Sequence, residues 1–134
     1  MGRLALTVLL VPVAATAQSP ELGISEAPIQ REIALTCTFT TECMDTEGCA
    51  DTAYSVKIEG QAGGTSEDSL VVGANMISDA ETVAVIGTLQ DGTLHLTAPD
   101  PAMPQLLTST ADGARLTAHI ASATLAITYA GTCE

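Results

Sequence analysis

TVAVIGTLQDGTLHLTA, residues 82–98, decides how the chain is read. On either side of Asp91-Gly92, apolar and polar residues alternate with period two. That is the pattern of strands buried on one face only. Asp-Gly between two such runs is a strong signal for a two-residue hairpin turn, because type I′ turns need positive φ at both central positions. The register follows: Leu89 faces Leu94, Gly87 faces Leu96 and Val85 faces Ala98. The apolar residues meet on one face, and His95 and Thr97 point away from it.

The same pattern extends outward along the chain. In IALTCTFT (33–40), Ile33, Leu35, Cys37 and Phe39 share one face, and Ala34, Thr36, Thr38 and Thr40 the other. AYSVKIE (53–59) turns Tyr54, Val56 and Ile58 inward. Gly60 to Ser69 reads as a polar, glycine-rich turn, followed by a short strand at LVV (70–72). Pro99, Pro101 and Pro104 interrupt the chain. QLLTST (105–110) and ARLTAHI (114–120) then flank Asp112-Gly113, a second hairpin signal. With that dipeptide as the loop, Leu107 pairs with Ala118 and Gly113 supplies a positive φ. Leu106 falls on the outer face, which leaves room for a bulge or a longer turn. TLAITYAGTC (124–133) is the last strand, with Leu125, Ile127 and Tyr129 on one face. No helix of convincing length and no repeat is visible. About eight strands with short turns predict an all-β fold, a single antiparallel barrel or sandwich.

Three of the four cysteines lie in CTFTTECMDTEGCADT (37–52). Four cysteines allow three pairings. Cys37 and Cys43 are six residues apart on an extended stretch, roughly 20 Å between Cα atoms, and a disulfide needs less than about 7 Å. Cys43 and Cys49 flank a segment that can turn. Cys37 and Cys133 lie in the first and last clear strands with inward parity, so closure of the sheet brings them together. The pairing expected is Cys43–Cys49 and Cys37–Cys133. The longer link is worth roughly 4–5 kcal/mol on the chain-entropy model. The spacings do not suit zinc, and no redox CxxC motif is present. An EF-hand aligned on Gly48 would put Cys43 and Tyr54 where carboxylates belong. The cluster of Glu42, Asp45, Glu47 and Asp51 therefore reads as a solvated loop clamped by a disulfide, and no metal or other cofactor is expected.

The chain opens MGRLALTVLLVPVAATAQ (1–18). One arginine, a short apolar run and Ala15-Thr16-Ala17 form a secretory leader pattern, with cleavage expected after Ala17. The apolar run is shorter than the about 20 residues that span a bilayer. A soluble exported protein without a membrane anchor is expected, periplasmic or secreted. Residues 18–32 read as an extended arm and 33–134 as one β domain. Of 134 residues, removing 17 leaves 117, with three Lys or Arg against 16 Asp or Glu, a formal charge of −13. Nucleic acid and anionic membrane surfaces would be repelled. A basic protein, a cation or no partner at all fits the charge, which also serves solubility.

No catalytic signature is present. There is no G-x-S-x-G, no phosphate-binding glycine loop and no H-E-x-x-H. His95 and His119 have outward parity and could meet only on adjacent strands. Phe39, Tyr54 and Tyr129 are the whole aromatic inventory, too few to line an ordinary small-ligand pocket.

The leader, LTCTFTTEC (35–43), the threonine-rich strands and the terminal TYAGTCE (128–134) resemble small periplasmic proteins of Gram-negative bacteria. That resemblance implies location and fold class. STADGARL (109–116) followed by ATLAITYAGTC (123–133) is similar to the periplasmic C-type lysozyme inhibitors, small barrels with a disulfide from an early strand to the C-terminus. In that family a Ser-Gly-x-x-Tyr loop enters the lysozyme cleft. Asp112, Gly113 and Leu116 stand at those positions here. The expected function is a non-catalytic exported β-domain, a binding or structural module whose role the sequence does not name, with Asp112 and Gly113 as the candidate partner loop. The alternative is an inhibitor of a basic cell-wall hydrolase of the lysozyme kind.

Overall fold

The computed structural model describes residues 23–134. The leader and its cleavage point lie outside the described residues. Eight antiparallel strands form one closed barrel in sequence order: β1 Ile29–Met44, β2 Gly48–Ser66, β3 Ser69–Ile77, β4 Thr82–Gln90, β5 Thr93–Ala98, β6 Gln105–Thr110, β7 Gly113–Ile120 and β8 Leu125–Cys133. β1 pairs with both β2 and β8, so the architecture is a barrel and not a sandwich. Closure removes the free sheet edges wherever β1 and β8 run side by side. Following the cross-strand partners from Gln61 through Gly73, Ile86, Thr97, Leu106, Thr117, Thr128 and Cys43 returns to β2 at Cys49. The ring therefore closes with a stagger of twelve residues along β2, and the strands tilt strongly across the barrel axis.

The inward faces fill the interior. Phe39, Ile58, Leu70, Leu96, Leu107, Leu116, Val56 and Val72 are all but fully buried. Each aliphatic side chain of this size contributes about 1.5–3 kcal/mol on burial. Threonines occupy much of the outside, as the alternation predicts. Both expected disulfides form, Cys37–Cys133 and Cys43–Cys49, each between directly opposed residues. Cys37 is fully buried. A bulge between Phe39 and Thr41 reverses the parity of β1, so Cys43 pairs on the outward face with Cys49 and Thr128. Two disulfides are compatible with an oxidising compartment.

Four differences from the sequence reading bear on the outer surface. β1 begins at Ile29, inside the segment read as a loose arm, because Ile29–Glu32 pair with Gln61–Gly64. Gly60 to Ser69 is not a turn: β2 runs to Ser66, and the turn is confined to Glu67-Asp68. The glycines there serve close approach instead. A Cβ on Gly63 would lie 2.6 Å from the carbonyl oxygen of Ile24, in the short 3-10 turn Ile24–Glu26 that packs over β2 and β3. β3 is nine residues long rather than three. The fourth difference is the register of the β6–β7 hairpin. Thr110 pairs with Gly113, Leu107 with Leu116 and Gln105 with Ala118. The loop is Ala111-Asp112, and Gly113 is a strand residue without positive φ. No bulge is needed, and Leu106 simply stands on the outer face, 47% exposed.

Candidate binding surface

Charge is distributed unevenly over the barrel. β3 to β8 contain no Asp or Glu, and Arg115 is their one lysine or arginine. The acids of the described residues all sit on β1 and β2, in the turns and chain connections, or at the ends. Six strands thus present a neutral wall of threonine, alanine and aliphatic side chains, on which Val71, Ile86 and Leu106 are exposed. Ile86 and Leu106 are both cross-strand partners of Thr97, so they flank it on the two sides.

A concavity of about 610 Å³ opens on this wall over β6, β7 and β8. Leu106, Thr108 and Thr110 line one side, Arg115 and Thr117 the other, and Gly113, Ala130 and Gly131 leave it room. Gly131 is required by the closure of the barrel, since a Cβ there would lie 2.0 Å from the carbonyl oxygen of Thr38 on β1. Asp112 and Gly113, the residues singled out in the sequence, border this groove. They do so as a turn and a strand residue, respectively, not as a two-residue loop. The turn is held by Thr110, whose hydroxyl accepts from Asp112 N–H at 3.2 Å and donates to the Gly113 carbonyl at 3.4 Å. Among the described residues the only ion pair is Arg31–Glu67, so Arg115 has no carboxylate within salt-bridge distance there.

The three aromatic residues, scattered in sequence, form one cluster. Ring centroids lie 6.0 Å apart for Phe39 and Tyr54, 5.9 Å for Phe39 and Tyr129, and 4.7 Å for the two tyrosines. These separations suit favourable aromatic pairing. Glu42 is the cross-strand partner of Tyr129 because of the β1 bulge. Burial first, then hydrogen bonding to Glu42 and its negative charge, push the Tyr129 phenol up to about 12. Burial also raises Tyr54, against a hydrogen bond from Ser78 and with the charge of Glu81. Sequence parity placed each ring inward, but only the pairing of β1 with both neighbours brings them together.

His95 and His119 do not meet. β6 separates their strands, and His95 Nδ1 lies 3.3 Å from the Thr108 hydroxyl. Among the described residues no group of three or more His, Cys, Asp or Glu side chains converges on a metal position, and no helix is long and apolar enough to cross a membrane. No known protein family, curated protein or solved structure matches the chain.

Proposed function

We propose that this protein is an exported, non-catalytic binding barrel that takes a basic protein partner on its outer surface. The observation that carries this reading is the separation of charge. Acids crowd the rims and the β1–β2 hairpin, and the six-strand wall carries none. Carboxylates at the rim steer a cationic partner and raise its association rate. Apart from Arg115, the wall is neutral, so a partner covers it with little unpaired charge to bury. The filled interior supports the same reading, because the core positions are occupied by side chains. The leader pattern and the disulfides support export. The test is capture from a periplasmic extract on immobilised protein. A basic protein should bind at low salt and elute as salt rises. Capture that ignores salt, or no capture at all, ends this reading.

The lysozyme-inhibitor reading keeps one supporting observation of its own. Asp112 is exposed in a turn that borders the groove on β6–β8, in a barrel whose C-terminal strand is tied to β1 by a disulfide. Assay of C-type lysozyme at low ionic strength decides it, and the absence of inhibition ends it.

A further inference from the structure

β1 is longer than the strand that closes the barrel against it. β8 pairs with β1 only from Met44 back to Cys37. The last contact is a reciprocal pair between Thr36 and Glu134, with N–H to C=O distances of 2.8 and 3.0 Å. From Leu35 back to Ile29, β1 has β2 on one side and, among the described residues, no strand on the other. Backbone polar groups alternate in direction along a strand. Since both groups of Thr36 point toward β8, those of Ala34, Glu32 and Gln30 point the same way, into the open edge. Three consecutive pairs of outward N–H and C=O groups form a template for an added strand.

A cleft of about 430 Å³ runs beside this edge. Ile33 and Leu35 of β1 form one side, and Leu89, Gly92 and Leu94 of the β4–β5 hairpin face them. Ile33 and Leu94 are buried, and Leu35 and Leu89 half-buried, so the two facing walls are apolar, while Glu32, Ser109 and Thr110 add polar groups to the lining. The surrounding charge is acidic. Glu32 lies on the edge itself, Glu134 ends the paired segment, Asp91 sits in the facing turn, and Asp112 lies beside the lining residue Ala111. Of the cations, Arg31 itself lines the cleft but is tied to Glu67 at 3.3 Å, and Lys57 stands on β2 opposite Thr36. The 3-10 turn before β1 leaves over β2 and β3, away from this cleft.

We propose that this edge binds an extended segment of a partner protein by strand addition, in line with β8. The recognised segment alternates apolar and basic residues. Its main chain pairs with Gln30, Glu32 and Ala34. Its apolar side chains enter the cleft against Leu89 and Leu94, and its basic side chains meet the acidic rim. The segment paired is about five residues, roughly 17 Å of strand. This deepens the basic-partner reading above and rests on it.

The probe is a six-residue synthetic peptide alternating lysine and valine, blocked at both ends. It should bind at low salt and slow amide hydrogen exchange at Gln30, Glu32 and Ala34 by tenfold or more. Methylating one alternate set of peptide nitrogens should abolish binding, and methylating the other set should not, since only one set faces β1. In the protein, Glu32→Pro removes an N–H that no β2 partner uses. It should weaken the peptide at least tenfold, while Glu32→Gln, which keeps the N–H, weakens it less than threefold. If Glu32→Pro fails to fold, the two methylated peptides on the unaltered protein still decide. No binding overturns the proposal, as does equal binding of both methylated peptides. Protection of the three amides already present in the free monomer also overturns it, because a segment preceding Gly23 would then fill the edge. Protection that grows with concentration alongside a dimer in sedimentation overturns it in favour of a second copy. If Glu32→Pro captures the same salt-sensitive basic partner as the parent protein, the edge site fails and the binding barrel stands.

Discussion

Two hairpins of this barrel carry the same Asp-Gly dipeptide and fold differently around it. In the β4–β5 hairpin, Asp91 and Gly92 are the two loop residues, at φ 49° and 79°, as a type I′ turn requires. In the β6–β7 hairpin the loop has moved back by one residue to Ala111-Asp112, and Gly113 lies in β7 with no positive φ. A shift of one loop position changes the pairing by two residues, so every side chain keeps its face. The pattern of faces therefore cannot choose between the two registers. Leucine pairing can. The observed registers set Leu89 against Leu94 and Leu107 against Leu116. With Asp112-Gly113 as the loop, Leu116 would face Ser109. Thr110 completes the difference, because its hydroxyl closes the second turn, and Gln90 has no hydroxyl at the equivalent place. Turn chemistry and core packing agree in the first hairpin. In the second they disagree, and packing decides.

The sharpest way to break this comparison is to remove a leucine. Leu116 is 1% exposed and lies between Leu107 and Tyr129 in the ladder. Leu116→Ala should cost about 3 kcal/mol in urea unfolding. It should also speed amide exchange in the β6–β7 turn, since the pair that selects the register is gone. Leu94→Ala should cost about as much yet leave the Asp91-Gly92 turn protected, because that turn is favoured by its own residues. Equal loosening of both turns would show that leucine pairing does not set the second register.

The glycines give the next largest contrast. Gly92→Ala forces a Cβ into the left-handed region and should cost about 1–2 kcal/mol. Gly113→Ala meets the Gly131 carbonyl oxygen at 3.4 Å, an ordinary contact, and should be neutral or stabilising by up to about 1 kcal/mol. Similar losses in thermal unfolding for both would restore the two-residue loop at Asp112-Gly113. A smaller effect belongs to Thr110→Val. It deletes both hydroxyl bonds of an exposed turn and should cost about 0.5–1 kcal/mol, with no counterpart in the first hairpin. A null result there would leave leucine pairing alone to explain the shift.

The same contest between local signal and packing explains what the sequence reveals. Strand parity was legible wherever threonine alternates with aliphatics, and with it the barrel-or-sandwich class and both disulfides. Parity placed Cys37 and Cys133 inward, and closure did the rest. What failed were readings that treated glycine as punctuation. Gly63 and Gly64 continue β2, since their lack of a side chain admits the Ile24 turn and the neighbouring strand. The early start of β1 was hidden because Gln30, Arg31 and Glu32 break the apolar alternation. Asp112 was legible as a surface turn residue. The groove beside it was not, because Gly113, Ala130 and Gly131 come from two strands whose register no local pattern states. That Gln30–Ala34 has no strand beside it among the described residues, other than β2, follows from the register of β8 on β1, with Cys133 opposite Cys37, which is a property of the whole ring.

The smallest effect is expected at Asp112 itself, the charged residue of the second turn. Asp112 N–H bonds the Thr110 hydroxyl through its backbone, so Asp112→Asn keeps the turn and removes one charge. Stability should change by less than about 0.5 kcal/mol, as for most exposed substitutions. Binding is where the change appears. A rim carboxylate acts mainly on association rate and its salt dependence. At low salt, association with a captured basic partner should slow by less than about threefold. At 0.15 M salt the gap should close, because the Debye length there is about 8 Å. Asp91→Asn, in the other Asp-Gly turn, provides the comparison, for Asp91 adjoins Gly92 of the cleft at the β1 edge, whereas Asp112 borders the groove on β6–β8. A larger loss at Asp112 than at Asp91 would place the partner over the β6–β8 groove. Equal small losses would mean that neither turn is contacted and that both act through the field of the acidic rim.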